Sequence, residues 1–92
     1  MISTDRIHTF KGDHVDVNCS STGDPLPKTQ WYRVNGSKLV IIANATNRLA
    51  FTNVTRNNAG LYICKGSNII GESSKTLLLN VSGLFIIFGS TK

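Results

Sequence analysis

Asn58-Ala59-Gly60-Leu61-Tyr62-Ile63-Cys64 is the stretch that decides the fold of this 92-residue chain. Side chains alternate between the two faces of a β-strand, so Tyr62 and Cys64 lie on the same side. A second cysteine, Cys19, lies 45 positions upstream, and the single tryptophan, Trp31, lies between the two. We expect Tyr62 and Cys64 to face inward and Trp31 to occupy the core beside them.

The length and the cysteine count describe one small domain. Ninety-two residues bury a modest core, and a domain of this size gains stability from a covalent cross-link. In the chain-entropy account, a disulfide that closes a loop of this length contributes roughly 4 kcal/mol. Such a bond survives best outside the reducing cytosol, so the two cysteines favour an extracellular protein.

Five Asn-x-Ser/Thr sequences predict N-glycosylation, at Asn18, Asn35, Asn44, Asn53 and Asn80. The chain has 9 Asn and 18 Ser or Thr residues, a composition for which chance gives about two such sequences. The excess favours an extracellular glycoprotein, and the alternative is a chance surplus in an Asn- and Thr-rich β protein. Asn18 is the least secure acceptor, since Cys19 is its middle residue.

Charge is unevenly distributed in this chain of net charge +5. No acidic residue occurs between Asp24 and Glu72, whereas the first 24 residues are net acidic. The acid-free stretch carries six bases that are not neighbours in sequence: Lys28, Arg33, Lys38, Arg48, Arg56 and Lys65. A basic surface of this kind could bind heparan sulfate or an acidic protein face. The alternative is ordinary solvated charge.

The hydrophobic pattern has a period of two and no helical periodicity, and Gly, Pro and Asn interrupt it at short intervals. Asn35-Gly36 predicts a tight hairpin, from which the chain returns as a strand over Lys38 to Ala43. The inward rows are Val15, Val17 and Cys19, then Leu49 and Phe51, then Leu77, Leu79 and Val81. The pattern predicts an antiparallel β-sandwich of about seven to eight strands.

Several spaced motifs in this order resemble the immunoglobulin superfamily, and specifically its intermediate, or I-set (C2-like), domains. They are Gly23-x-Pro25-x-Pro27-x-x-x-Trp31, Leu49-x-Phe51-x-x-Val54, Asn58-x-Gly60-x-Tyr62-x-Cys64, Asn68-x-x-Gly71 and Leu79-x-Val81. The resemblance covers residues 7–82. It implies a Greek-key sandwich of two antiparallel sheets, with residues 1–83 as the domain.

The resemblance also implies roles for individual residues. Cys19 and Cys64 would form the inter-sheet disulfide, and Trp31 would pack against it. The Tyr62 hydroxyl would bond to backbone upstream of it. The expected core comprises Trp31, Tyr62, Leu49, Phe51, Val17 and Leu79. Asn58 stands where the family usually has Asp, so a salt bridge at this position to Arg48 or Arg56 is not expected. The side chain of Asn58 can still shape the turn.

The sequence offers no arrangement of residues for enzymatic chemistry. His8 and His14 have no spaced cysteine or carboxylate partners, and the two cysteines are committed to the bridge. A metal site needs about four clustered ligands, and none is visible. We therefore expect no enzyme activity, no cofactor, no metal and no nucleic-acid partner.

Two surfaces are candidate sites for a protein partner. The first is the outward face of one sheet, with Tyr32, Ile63, Lys65 and one parity of Leu39 to Ile42, because tyrosine beside apolar groups and a base is typical of interfaces. The alternative is that these residues only cover the sheet or meet a neighbouring domain. The second is the loop-tip pair Ile69 and Ile70, one of which could instead tuck under the rim of the sandwich.

The C-terminal residues 84–92 begin with an apolar run, Leu84-Phe85-Ile86-Ile87-Phe88, much shorter than the ~20 residues of a membrane span. The run is compatible with the stump of a span, an interdomain segment or vector-derived residues. Met1 is not followed by an apolar run, so a signal peptide is not expected in this segment, and the domain is expected to be excised from a longer chain.

The expected function is protein recognition by a non-enzymatic domain of a cell-adhesion or receptor protein. We expect it at the cell surface or secreted, and in tandem with similar domains. The alternatives are a spacer in a receptor stalk or muscle-type filament, and a heparan-sulfate-binding domain.

Overall fold

A computed structural model describes residues 2–42 and 47–83. The Asn44 glycosylation site and the apolar segment at residues 84–92 lie outside these residues. The described part of the chain contains seven strands and one short 3₁₀ turn. The strands are β1 (Ile2–Phe10), β2 (Val15–Asn18), β3 (Lys28–Asn35), β4 (Lys38–Ile41), β5 (Arg48–Phe51), β6 (Gly60–Ser67) and β7 (Glu72–Ser82). The 3₁₀ turn spans Arg56–Asn58.

The strands form two sheets that pack face to face, as the predicted sandwich requires. The larger sheet has the order β1-β7-β6-β3-β4, and the smaller sheet pairs β2 with β5. The fold class predicted from the sequence is confirmed. Strand β4 is shorter than predicted and ends at Ile41, although the next amide, Ile42 N–H, still donates to Trp31 O at 3.1 Å.

One pairing corrects the expectation that both sheets are antiparallel. Strand β1 runs parallel to β7, with Ile2 opposite Ser74 and Phe10 opposite Ser82, so the larger sheet is mixed. The other pairings are antiparallel. The period-two pattern reports which side chains face inward, but it carries no information on the direction of a partner strand about 70 residues away.

The core lies between the two sheets and consists of the inward rows of both. Its buried side chains are Val15, Cys19, Trp31, Leu49, Val54, Tyr62, Cys64, Leu77 and Leu79. Val17 and Phe51 are partly buried and pack against this cluster. Each fully buried Leu or Val contributes about 1.5–3 kcal/mol relative to an exposed one.

The disulfide joins the two sheets beside the tryptophan. Cys19 follows β2, Cys64 lies in β6, and the bond brings their Cα atoms to 6.6 Å. Trp31 in β3 is the register partner of Cys64, and its Nε1–H donates to Asn47 O at 3.3 Å. The cross-link implied by the resemblance is therefore present, and the tryptophan lies beside it.

The turn before β6 takes the shape that the sequence indicates. The Tyr62 hydroxyl donates to Asn58 O, four residues upstream. The Asn58 side chain accepts from Thr55 N–H at 2.8 Å, so asparagine shapes the turn without a charged partner. Gly60 has a φ of +143°, a conformation that strongly favours glycine.

Candidate functional site

The outward side of the larger sheet carries two adjacent rows of apolar side chains across its central strands. In the first row, Tyr32 of β3 lies opposite Ile41 of β4 and Ile63 of β6. Ile63 in turn lies opposite Thr76 of β7. The structure therefore brings the predicted Tyr32 and Ile63 together, and it places Ile41, not Ile42, beside them.

The second row lies two residues away from the first along each strand, on the same side of the sheet. Val34 of β3 pairs with Leu39 of β4, and Leu61 of β6 pairs with Leu78 of β7. Sequence reasoning missed Val34, Leu61 and Leu78. The alternation of side chains could have indicated them. Val34 and Leu61 each lie two positions from an outward residue, Tyr32 or Ile63, and Leu78 lies on the strand paired with that of Leu61.

We call these two rows the apolar face: Tyr32, Val34, Leu39, Ile41, Leu61, Ile63 and Leu78. The exposed fraction is 42% for Leu39, 63% for Ile41 and 40% for Leu61, and the other four side chains are half-buried. Val40, which lies opposite Arg33, points to the other side of β4. The apolar face thus combines continuous apolar surface with substantial exposure to solvent.

The end of the apolar face nearest the β6–β7 turn is charged. Lys65 Nζ lies 5.8 Å from the centre of the Tyr32 ring, a cation–π distance. The same ammonium is 3.8 Å from Glu72 Oε1. Lys65 is the register partner of Gln30, and Lys28 lies opposite Ser67, so both lysines point outward on adjacent strands.

A cleft of about 650 Å³ opens at this charged end. Its apolar lining includes Leu26, Tyr32 and Ile41, and its charged lining is Lys28, Lys65 and Glu72. The arrangement can bind a group through charge and apolar contact together. Its lining combines two ammonium groups, one carboxylate and apolar side chains, which is the chemistry of a binding surface.

The floor of the cleft is fixed by hydrogen bonds from Gln30. Its side-chain Nε2 donates to Trp31 O at 2.9 Å and to Ile42 O at 2.9 Å. Asn47 holds one wall, because its carboxamide oxygen accepts from the Thr29 hydroxyl at 2.9 Å. These bonds tie β3 to the segment after β4. Nothing in the sequence pattern marks either residue for this role.

The tip of the β6–β7 turn is apolar and open to solvent. The exposed fraction is 90% for Ile69 and 77% for Ile70, so neither side chain tucks under the rim of the sandwich. Leu26, in the loop before β3, is 78% exposed, and no sequence pattern marks it as a surface residue. The Asn68 side chain joins the two loops, because its Nδ2 donates to Pro25 O at 2.7 Å.

The glycosylation sites within the described residues are all exposed. Asn18 and Asn53 belong to β2 and to the segment after β5, away from the larger sheet. Asn35 lies at the β3–β4 turn. Asn80 lies on β7 opposite His8, two positions from Leu78, so a glycan there would cover the β1 side of the larger sheet. The centre of the apolar face carries no acceptor asparagine.

Lys28 and Lys65 are the two bases of the acid-free stretch that line the cleft, and the other four lie elsewhere. Arg48 forms a bidentate ion pair with Asp16 across the smaller sheet. Hydrogen bonds from Arg48 lower the pKa of the Asp16 carboxyl. Arg33 lies over the Tyr62 ring and donates to Ala59 O at 2.8 Å. Burial raises the pKa of Tyr62, and the charge of Arg33 opposes that rise. These contacts stabilise the fold and lie outside the cleft.

Metal-binding clusters and membrane-spanning helices are both absent from the part of the chain that the structure describes. Among residues 2–42 and 47–83, no group of three or more His, Cys, Asp or Glu side chains is placed to hold a metal ion. Within the same residues, no helix has the length and hydropathy needed to cross a membrane.

Comparison with known proteins identifies the family. The model of the immunoglobulin-domain family matches residues 1–81. The chain therefore belongs to the immunoglobulin superfamily.

The similar curated proteins include cell-adhesion proteins and a growth factor receptor, vascular endothelial growth factor receptor 2 of Mus musculus. Vascular cell adhesion protein 1 of Rattus norvegicus is 36% identical over 75 residues, which cover 79% of this chain and 10% of that protein. Nectin-4 of Xenopus tropicalis is 34% identical over 67 residues, covering 72% of this chain and 13% of that protein. Cell adhesion molecule 3 of Xenopus laevis is 34% identical over 62 residues, covering 66% and 16%. The chain thus spans a small part of each relative.

Solved structures show the same fold. The N-terminal four immunoglobulin domains of Dscam1 isoform 6.9 match with a TM-score of 0.75 at 17% identity, over 85% of this chain and 22% of that one. The second immunoglobulin domain of the mouse polymeric immunoglobulin receptor matches with a TM-score of 0.73 at 17% identity, over 89% and 99%.

Proposed function

We propose that this domain recognises a protein partner at the cell surface, as a non-enzymatic module of an adhesion or receptor protein. The observation that carries the proposal is the apolar face, whose seven side chains lie in register on the outside of the larger sheet. The similarity to three adhesion proteins supports the same class of function.

The composition of the apolar face supports binding to a protein. Contiguous exposed apolar surface on a soluble domain marks an interaction site, and tyrosine and apolar groups are typical of interface cores. Leu39, Ile41 and Leu61 would each lose solvent exposure on contact. A single domain of this size gives a modest affinity, which tandem domains multiply.

An extracellular location is supported by two independent features of the chain. The Cys19–Cys64 disulfide persists in oxidising compartments. The acceptor asparagines Asn18, Asn35, Asn53 and Asn80 are all exposed, as glycosylation requires. Secretion from eukaryotic cells should therefore yield a protein whose mass falls on treatment with an N-glycosidase.

The proposal is tested by substitution within the apolar face. The wild-type domain, displayed as a multivalent fusion, is screened against a panel of adhesion and receptor ectodomains that includes this domain itself. We expect the double variant Tyr32→Ser/Ile63→Ser to lower the affinity for the partner found at least tenfold. Val40→Ser is the control, because Val40 is also an apolar side chain of the larger sheet but points away from the face.

Two results would contradict the proposal. One is equal binding by the wild type and by Tyr32→Ser/Ile63→Ser, with both proteins folded. The other is loss of binding in Val40→Ser to the same extent, which would move the interface to another surface. If deleting the domain from its full-length protein left ligand affinity unchanged, the domain would be a spacer.

A further inference from the structure

We infer that the cleft at the charged end of the apolar face receives an acidic side chain of the partner, flanked by an apolar residue. The inference rests on the proposed function, since the cleft opens on the same side of the sheet and shares Tyr32 and Ile41 with the apolar face. It adds the chemistry of the partner: an extended protein segment in which Asp or Glu lies beside an apolar side chain.

Charge in the cleft favours a carboxylate. Lys28 and Lys65 both line it, and Glu72 is the one acidic residue in its described lining. The pair between Lys65 and Glu72 is open, with 3.8 Å between the charged atoms and 65% of the Glu72 side chain exposed. An exposed pair of this kind contributes little stability, so a carboxylate of the partner can replace Glu72 at small cost.

The position of Lys65 strengthens its interaction with an arriving anion. Its ammonium stands over the Tyr32 ring, next to the apolar face. A carboxylate bound there would be partly removed from water by the partner, and charge-assisted hydrogen bonds are stronger in such surroundings. Because Gln30 fixes the floor through two backbone carbonyls, the site is formed before the partner binds.

The apolar walls of the cleft select a protein segment over a sulfated polysaccharide. Leu26 and Ile41 are 78% and 63% exposed and line the same cleft. An apolar side chain beside the carboxylate would cover them, whereas a polysaccharide offers no comparable group. Arg48, which could extend a polyanion site, is instead paired with Asp16 in the smaller sheet.

The test is a selection from a random peptide library displayed on phage, with the immobilised 92-residue chain as the target. We expect the enriched peptides to carry Asp or Glu next to an apolar residue. Lys28→Glu/Lys65→Glu should weaken their binding at least tenfold. The matched control Lys11→Glu/Lys38→Glu makes the same change in net charge at two exposed lysines outside the cleft, and it should change binding less than twofold.

The other outcomes overturn the inference. They are enrichment of peptides without acidic residues, equal weakening by the control variant, displacement of the peptides by a heparin fragment at similar concentration, and failure to enrich any peptide. The variant Leu39→Ser/Leu61→Ser separates the two proposals, because these residues belong to the apolar face but do not line the cleft. Peptides without acidic residues that lose affinity for this variant would refute the acidic-segment inference and leave the proposed function standing.

Discussion

Tyr62 connects the core to the turn that precedes its own strand. Its ring is fully buried, and its hydroxyl donates to Asn58 O. Buried polar groups need such partners, because an unsatisfied carbonyl costs about 1–3 kcal/mol. Tyr62 therefore fixes the path of the chain at the start of β6 while filling space between the sheets.

Tyr62→Phe should destabilise the domain by about 1–2 kcal/mol, because it removes this donor and keeps the ring. Urea unfolding followed by tryptophan fluorescence measures the loss. Tyr32→Phe is the control, since its hydroxyl lies on the outward face of the larger sheet. A Tyr62→Phe protein as stable as the wild type would show that Asn58 O is satisfied in another way.

The ion pair between Asp16 and Arg48 should make the stability of the domain depend on pH in the acidic range. Hydrogen bonds from Arg48 lower the pKa of Asp16 in the folded state, from an ordinary value of 3.8. The stabilisation is therefore complete above pH 3.8 and is lost as the pH falls below it. Tm measured between pH 7 and pH 3 should fall less steeply in Asp16→Asn.

The matching variant Arg48→Gln should reduce the fall in Tm between pH 7 and pH 3 to the same degree. The double variant Asp16→Asn/Arg48→Gln should add nothing further, since the pair has already been removed. Added salt should reduce the difference in Tm between the wild type and these variants, because the Arg48 side chain is 60% exposed and the Asp16 side chain 33% exposed. If neither substitution changed the fall in Tm at low pH, the acid sensitivity would belong to other carboxyl groups, such as Asp13.

At the scale of the strand, β6 has no room for a side chain at Gly66. This glycine is buried, and a Cβ added there would lie 2.8 Å from the Cβ of Ser21, in the segment after β2. Real side chains do not approach so closely, so β6 or the Ser21 segment would have to move. Gly66 therefore marks a place where β6 lies close to the Ser21 side chain of the segment after β2.

Gly66→Ala should lower the free energy of unfolding by about 1–3 kcal/mol, the range for overpacked interiors. Gly71→Ala is the control, because a Cβ at that position meets nothing within 4 Å and the residue has no positive φ. Adding Ser21→Gly to Gly66→Ala should restore part of the loss. Equal stability of the two alanine variants would mean that the Ser21 segment yields freely.

Prediction of strands from the sequence succeeded where the signal was local. Trp31, Tyr62 and Cys64 were placed by alternation and spacing, and the structure shows all three buried. Strand β1 was not predicted, because its residues 2–10 mix polar and apolar groups and its parallel pairing with β7 joins the two ends of the domain. Such pairings depend on topology, which short-range patterns do not encode.

The candidate site was only partly predictable for a related reason. Tyr32 and Ile63 follow from parity alone, and Val34 and Leu61 could have been added by the same rule. The Asn68 side chain ties the turn that carries Ile69 to the loop containing Leu26, and the Gln30 side chain at the cleft donates to Ile42 O. These features arise from contacts between segments that are distant in sequence.

At the scale of the whole molecule, the two sheets differ in their capacity to stand alone. Within the described part of the chain, the larger sheet has five strands and the smaller sheet has two, β2 and β5. An isolated two-stranded sheet is marginally stable in water. The smaller sheet therefore depends on the core and on the Cys19–Cys64 bond for its attachment to the larger one.

Removing the disulfide should destabilise the domain by about 2–5 kcal/mol, and the smaller sheet should open first. The variant Cys19→Ala/Cys64→Ala, and the wild type under reductant, should show the same loss in chemical unfolding. Native-state hydrogen exchange should then speed up at the paired amides of β2 and β5 before it does so in β3 and β6. Equal acceleration in both sheets would mean that they open as one cooperative unit. The disulfide would then stabilise the whole domain and not only the attachment of the smaller sheet.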